Sequence, residues 1–170
     1  MSNLRASASI SNDIQFTLIQ SIPNTQTENS SLGYSEALTH GTGSLNINYG
    51  VYSSGFIQPG DKQVFDLYSF TKDTFNGQTS VRFSKLKSIV VSNNQTGYGY
   101  DLNIHATGSN ALTGIFNGGS GNNIIKPYGV YQYSDLISGM NISATHRYLT
   151  IKDAFGSGIN YEVVVVGITG

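Results

Sequence analysis

The chain has 170 residues, enough for one domain to bury a sizeable apolar core without disulfides or metals to staple it. Its formal charge is −1 and only 11% of its residues are Asp, Glu, Lys or Arg, against roughly 25% in soluble domains. A nucleic-acid partner, which requires a basic stripe to neutralise phosphates, is therefore not expected. There is no Cys, which excludes disulfide and thiolate chemistry, and polarity comes instead from Asn, Ser, Thr, Gln, 11 Tyr and 20 Gly.

In chain order, residues 1–13 are small and polar apart from isolated side chains such as Leu4, Arg5 and Ile10, which reads as a flexible arm able to order on a partner. Residues 14–170 read as a single β-domain. The first residues lack the basic start and apolar core of a signal peptide, and the longest apolar run, 163–166, is too short to span a bilayer. The expectation is a soluble chain with no membrane partner.

Ile14, Phe16 and Leu18 alternate with polar residues, predicting a half-buried strand over 14–20 that Pro23 ends. Residues 24–43 are Ser-, Thr-, Asn- and Gly-rich and predict a long loop with one short strand over 34–39. From Leu45 the alternation resumes, with Ile47, Tyr49 and Val51 on its apolar side. The tract 56–93 then reads as the structural centre. It has a turn at Gln58-Pro59-Gly60, a strand over 62–68, a polar connection closing at Asn76-Gly77, a strand over 79–83 and a denser apolar strand over 86–92.

The turn cluster 93–97 followed by alternation over 100–106 predicts a hairpin. The glycine-rich run 117–123 predicts a mobile tip loop, and short strands follow within 124–133, 140–144, 147–152 and 161–168. The last of these is a continuous β-branched run, as expected in the middle of a sheet. No window sustains a 3.6-residue period. The pattern predicts an all-β fold, a two-sheet antiparallel sandwich of jelly-roll type, with an immunoglobulin-type sandwich as the alternative. Tyr-Gly-Val-Tyr occurs at 49–52 and again at 128–131, a short echo that a duplicated Greek key would explain.

Catalytic signals are sparse. His40, His105 and His146 show no metal-ligand spacing and read as loop histidines, and the ten acids give no reason to pair any two. The glycines at 41, 43, 156 and 158 fit turns rather than a phosphate cradle or nucleophile elbow. Arg82, Lys85 and Lys87 form the densest basic group. They read either as charges that protect a sheet edge or as contacts to an acidic partner. Tyr98, Tyr100, Tyr128, Tyr131 and Tyr133 are candidates for a sugar-stacking platform, although strand tyrosines more often bury their rings and wet their hydroxyls.

Four tracts carry a resemblance: YSEALT from Tyr34, VYSSGFIQPGDKQVFDLYS from Val51, DTFNGQTSVRFSKLKSIVVSN from Asp73 and NYEVVVVGITG from Asn160. Together they resemble a family of tailed-bacteriophage virion structural proteins. In that family a strand ending in Asp-Leu, here Asp66-Leu67, precedes a short connection, here carrying Asp73, Phe75 and Gly77. A strand like that from Phe83 to Asn93 follows, and the chain closes on a pattern matched by residues 161–167.

The resemblance covers residues 34–170 and is best over 60–93. It implies a jelly-roll virion component with no catalytic residues and no cofactor, foremost a capsid decoration (cement) protein, often trimeric, that binds the major capsid protein. It further implies synthesis in the bacterial host cytoplasm and a final place on the virion surface. On that reading Leu4, Arg5, Ile10, Arg82, Lys85 and Lys87 are the expected capsid contacts. Two rivals stand beside it. One is a carbohydrate-binding jelly roll of a head fibre or tail. The other is a polysaccharide-cleaving enzyme, which needs an acid, base or metal cluster that the sequence does not display.

Overall fold

The computed structural model describes residues 8–19, 27–40, 42–74, 77–106, 108–116 and 121–170, with only the backbone described within 8–40 and 72–79. Its strands are β1 (Ala8–Ile19), β2 (Thr27–His40), β3 (Asn46–Ile47), β4 (Tyr49–Ile57), β5 (Lys62–Asp66), β6 (Phe70–Thr74) and β7 (Gly77–Val81). They continue as β8 (Phe83–Asn93), β9 (Leu102–His105), β10 (Asn122–Ile125), β11 (Val130–Ser134), β12 (Met140–Asn141), β13 (Tyr148–Asp153) and β14 (Ile159–Thr169). Among the described residues one 3-10 turn spans Thr113–Ile115.

Two sheets make the sandwich. One runs β4-β14-β8-β11, with the two-residue β12 also on β8, and the other runs β10-β9-β13-β5. All of these pairings are antiparallel. In chain order the strands cross from sheet to sheet at β4–β5, β8–β9, β10–β11 and β13–β14, and cross back from β5 to β8 by way of the β6–β7 pair and from β12 to β13, which is the double Greek-key winding of a jelly roll. The expected fold class is the observed one.

The β-branched run of β14 lies between β4 and β8, where its patterning placed it. Ile159, Tyr161, Val163 and Val165 point into the core, against Phe65, Leu102, Ile104, Leu149 and Ile151 from the facing sheet. The ring of Phe65 meets Tyr161 edge-on at 6.0 Å and stacks on Phe70 at 6.4 Å, so the aromatic layer ties β5, β6 and β14 together.

Several expected elements differ, each for a local reason. The tract 45–51 is not one strand. It breaks at Asn48, whose side-chain oxygen accepts the backbone N–H of Thr169 at 2.7 Å. Val51 consequently joins the main core while Ile47 packs with Leu136 and Val166 in a separate cluster.

The expected hairpin over 93–106 is instead a crossing from one sheet to the other, because β8 and β9 lie in different sheets. In place of a loop over 24–43, β2 spans fourteen residues and pairs with β1 in unbroken register from Ala8↔Leu38 to Ile19↔Thr27. The arm boundary expected at residue 13 therefore falls inside β1, and Ile10 is a strand residue. Leu4 and Arg5 lie outside the described residues.

Asn122 and Asn123 belong to β10 rather than to the tip loop, of which 117–120 lie outside the described residues. The polar connection expected after residue 68 contains the β6–β7 hairpin. The Tyr-Gly-Val-Tyr echo falls on β4 and on the turn into β11, the two edges of one sheet, and not on strands that a duplicated Greek key would make equivalent.

Candidate functional site

The jelly-roll winding brings the β4–β5, β8–β9, β10–β11 and β13–β14 connections to one end of the sandwich, where two buried polar side chains tie them together. Asn93, the last residue of β8, is fully buried. Its amide donates to the carbonyls of Tyr100 at 2.6 Å and Ile125 at 3.0 Å, and its oxygen accepts from Gln95 N–H. Asp153, the last residue of β13, is likewise buried and accepts backbone N–H groups from Gly158 at 2.8 Å and Phe155 at 3.0 Å. Burial alone would raise the Asp153 pKa, but the N–H donors of Gly158, Phe155, Gly156 and Gly60 outweigh it and hold the carboxyl below its ordinary value. Ala154 N–H completes the tie by donating to the Asp101 carbonyl at 3.0 Å.

These pinned loops enclose a cleft of about 570 Å³ lined by Gly97, Tyr98, Gly99, Asp101, Lys126, Pro127, Tyr128 and Phe155. Three of the lining rings are thrust into solvent: Tyr98 is 104% exposed, Tyr128 73% and Phe155 65%. Beneath them the Asp101 carboxylate is 4% exposed and receives the Lys126 ammonium at 2.5 Å. The cleft can therefore offer flat apolar faces and a compensated charge pair.

Of the five tyrosines singled out in the sequence, the structure brings Tyr98 and Tyr128 together. Tyr131 is half-buried on β11 and donates its hydroxyl to the Ile115 carbonyl at 2.5 Å; Tyr133 is also half-buried. Burial is the main cause that raises the pKa of both phenols. Tyr100 packs beside Gly97 and is half-buried. Sequence reading missed Phe155, since nothing in the run Asp153 to Gly158 links it to residues 98 and 128. Only the jelly-roll topology does.

The three basic residues do not form one patch. β8 is bulged against β14 at Lys87 and again at Ser84, so the simple alternation of an unbroken strand fails. Lys87 is only 1% exposed and donates to the carbonyls of Leu136 at 2.9 Å and Ile137 at 2.7 Å. Its expected role as a partner-facing charge is thus corrected: it is an internal cation under the 135–139 loop. Burial, and then the nearby Lys85, lower its pKa, while Asp135 works the other way. Lys85 is half-buried and reaches the Ser138 carbonyl at 3.2 Å. Arg82 is exposed but lies over the Tyr68 ring at 4.0 Å and donates to its hydroxyl. Arg147 approaches the same ring and pairs with both oxygens of Asp66.

A second surface lies on the outer face of the β4-β14-β8-β11 sheet. Toward the Lys87 end it is covered by Ile47, Leu136 and Val166. Farther along the register sets Tyr52 beside Val164, Ser54 beside Glu162 and Phe56 beside Asn160. Here Tyr52 is 55% exposed, Phe56 49% and Val164 38%, while Val130 is exposed on β11 at the opposite edge of the sheet. Glu162 accepts a hydrogen bond from the Tyr52 hydroxyl at 3.1 Å.

His105 meets the Asn122 side chain, and His146 lies in the exposed 143–146 turn. Among the described residues no group of three or more His, Asp or Glu side chains is placed to hold a metal. No described helix is long and apolar enough to cross a membrane.

No family model matches the chain, and no curated protein matches it. Among solved structures, the crystal structure of a Yersinia pseudotuberculosis-derived mitogen is similar, at 13% identity over 70% of this chain and 86% of that one, with a TM-score of 0.32. A likeness of that degree says nothing about what this chain does.

Proposed function

We propose that this chain is a non-enzymatic structural protein of a tailed-bacteriophage virion, a capsid decoration protein that binds the major capsid protein lattice as a homotrimer. It would be made in the bacterial host cytoplasm and work by buried area rather than by chemistry. The observation that carries the reading is the open outer sheet face. Tyr52, Phe56 and Val164 on the adjacent strands β4 and β14 present apolar side chains to solvent, the kind of surface that marks a protein–protein contact. The sequence resemblance supports the same role. Its best part, 60–93, forms β5 to β8, so it bears on the jelly-roll frame more directly than on the docking surface.

Leu4, Arg5 and Ile10 keep their proposed place as capsid contacts, and Arg82 and Lys85 can reach a partner from the surface. Lys87 drops out, because its ammonium is buried. Trimerisation would multiply weak contacts through effective concentration.

The test is occupancy on purified heads that lack the protein. Full-length chain is expected to cosediment with them, and both Phe56→Ser and deletion of residues 1–7, which stops short of β1, are expected to reduce that binding while each variant still melts cooperatively as a folded domain. Equal occupancy for wild type and both variants would sink the proposal.

A further inference from the structure

We propose that the cleft between Tyr98, Tyr128 and Phe155 is a binding site for a neutral pyranose oligosaccharide. The inference does not depend on the capsid reading, since the outer sheet face and the cleft share no lining residue.

Three observations converge. First, exposed aromatic rings from three separate connections border one cleft, within the roughly 300–1,000 Å³ typical of small-molecule sites. Apolar faces held in water have unmet burial, and the apolar C–H face of a pyranose ring is flat enough to stack on them.

Second, the turn that carries Tyr128 is built against its own preference. Lys126, Pro127, Tyr128 and Gly129 form a turn closed by Gly129 N–H to the Lys126 carbonyl at 2.8 Å, and the third residue has φ +59°. Gly or Asn is favoured there. A bulky ring at such a position bears a steric penalty, and strain of this kind is concentrated at functional sites. The turn is tight enough that its fourth residue must be glycine, since a Cβ on Gly129 would lie 2.7 Å from the Lys126 carbonyl oxygen. Tyr128 is held out over the cleft, not buried by the fold.

Third, the charge of the lining is already compensated. The cation Lys126 is paired with the anion Asp101, and the other lining residues carry no charge. A quaternary ammonium would need a free carboxylate or a full aromatic cage, and a uronate or a phosphate chain would need a free cation. A neutral sugar needs neither. Its hydroxyls can share the outer hydrogen-bonding positions of the Lys126–Asp101 pair and the tyrosine hydroxyls. The walls are preorganised by the buried Asn93 and Asp153, so little loop ordering is left for binding to oppose.

The experiment is saturation-transfer NMR of the full-length chain with maltohexaose, cellohexaose, mannohexaose and chitohexaose. Hexagalacturonate and choline serve as the anionic and cationic contrasts. At least one neutral hexasaccharide is expected to bind, with transfer strongest to its ring-face protons. Tyr98→Ala and Phe155→Ala are each expected to weaken that binding about tenfold or more, and Tyr98→Phe to leave it within about threefold. Both truncated rings are exposed, so unchanged thermal melts are expected to show that the variants remain folded. Three results would overturn the assignment: no binding by any neutral probe, stronger binding of hexagalacturonate or choline, or neutral binding that neither alanine variant weakens. Because none of these touches occupancy on capsids, the two proposals fail separately.

Discussion

Lys87 and Asp153 are both buried ionised side chains that fasten a loop by its backbone, and they do so near opposite ends of the sandwich with opposite results. Lys87 donates to two carbonyls of the 135–139 loop, drawing it onto the outer sheet face, where Leu136 packs with Ile47 and Val166 and closes the surface. Asp153 accepts amides of the 155–158 loop and holds it in a tight curl that leaves Phe155 in solvent. The difference lies in what the fastened loop carries. One turns an apolar side chain inward and covers a sheet; the other turns a ring outward and edges a cleft. A buried charge thus fixes loop geometry without deciding whether the loop protects or presents.

Removing the carboxylate is the strongest way to break this comparison. Asp153→Ala leaves at least the amides of Phe155 and Gly158 without their acceptor in a buried setting, and is expected to destabilise the domain by about 3–5 kcal/mol. Denaturant unfolding measures this directly. The same group sets an acid limit. Its pKa is lower in the folded protein than its ordinary 3.8, so its contribution is complete above that value and lost as pH falls from there through the folded value. Melting temperatures recorded from pH 6 down to pH 2 are expected to drop, and the drop should shrink in Asp153→Asn. Parallel curves for the two proteins would rule Asp153 out as the source.

The contrast also marks what the sequence could disclose. The β-branched run of β14 announced a central strand because burial on both sides of a sheet demands it, and the many short alternating segments announced a sandwich. β8 was harder. Its bulges at Lys87 and Ser84 shift the inward phase, so that Phe83, Leu86, Ile89 and Val91 all face the core at unequal spacings, and alternation alone misassigns the lysines. Tyr98 and Tyr128 were visible as candidates, but Tyr131 and Tyr133 looked equivalent to them. Only the crossing of chains between sheets separates exposed loop rings from half-buried strand rings. Phe155 had no local signal, because its neighbours in the cleft lie some 27 to 57 positions earlier in the chain.

Lys87 offers a milder perturbation at the covered end. Lys87→Met retains much of the aliphatic stem but leaves the Leu136 and Ile137 carbonyls without their donor, which is expected to cost about 1–3 kcal/mol. Relief from burying a charge offsets part of that loss. A signature separates the two effects. The folded protein lowers the Lys87 pKa from 10.5, so the unfolded chain holds its proton more tightly and wild-type stability rises with pH between the folded value and 10.5. The variant should lack that rise. Amide exchange is expected to quicken in the 135–139 loop while the cleft loops are unaffected, and equal quickening at both ends would contradict the independence of the two fastenings.

Tyr128→Gly is expected to have the smallest effect on stability and the opposite sign. Glycine accepts a φ of +59° without the steric penalty that a tyrosine bears there, although it loses more chain entropy on folding. With the ring 73% exposed, little burial is forfeited. The net change is expected to be a gain of no more than about 1 kcal/mol, read as a rise in melting temperature. Sugar binding by the cleft should weaken in the same protein. A position where the substitution improves the fold and impairs recognition is one at which the side chain serves the ligand, whereas a loss of stability would mean that the Tyr128 ring belongs to the packing of the loop. That outcome would move Tyr128 from the presenting class to the protecting one and make the two ends of the sandwich alike.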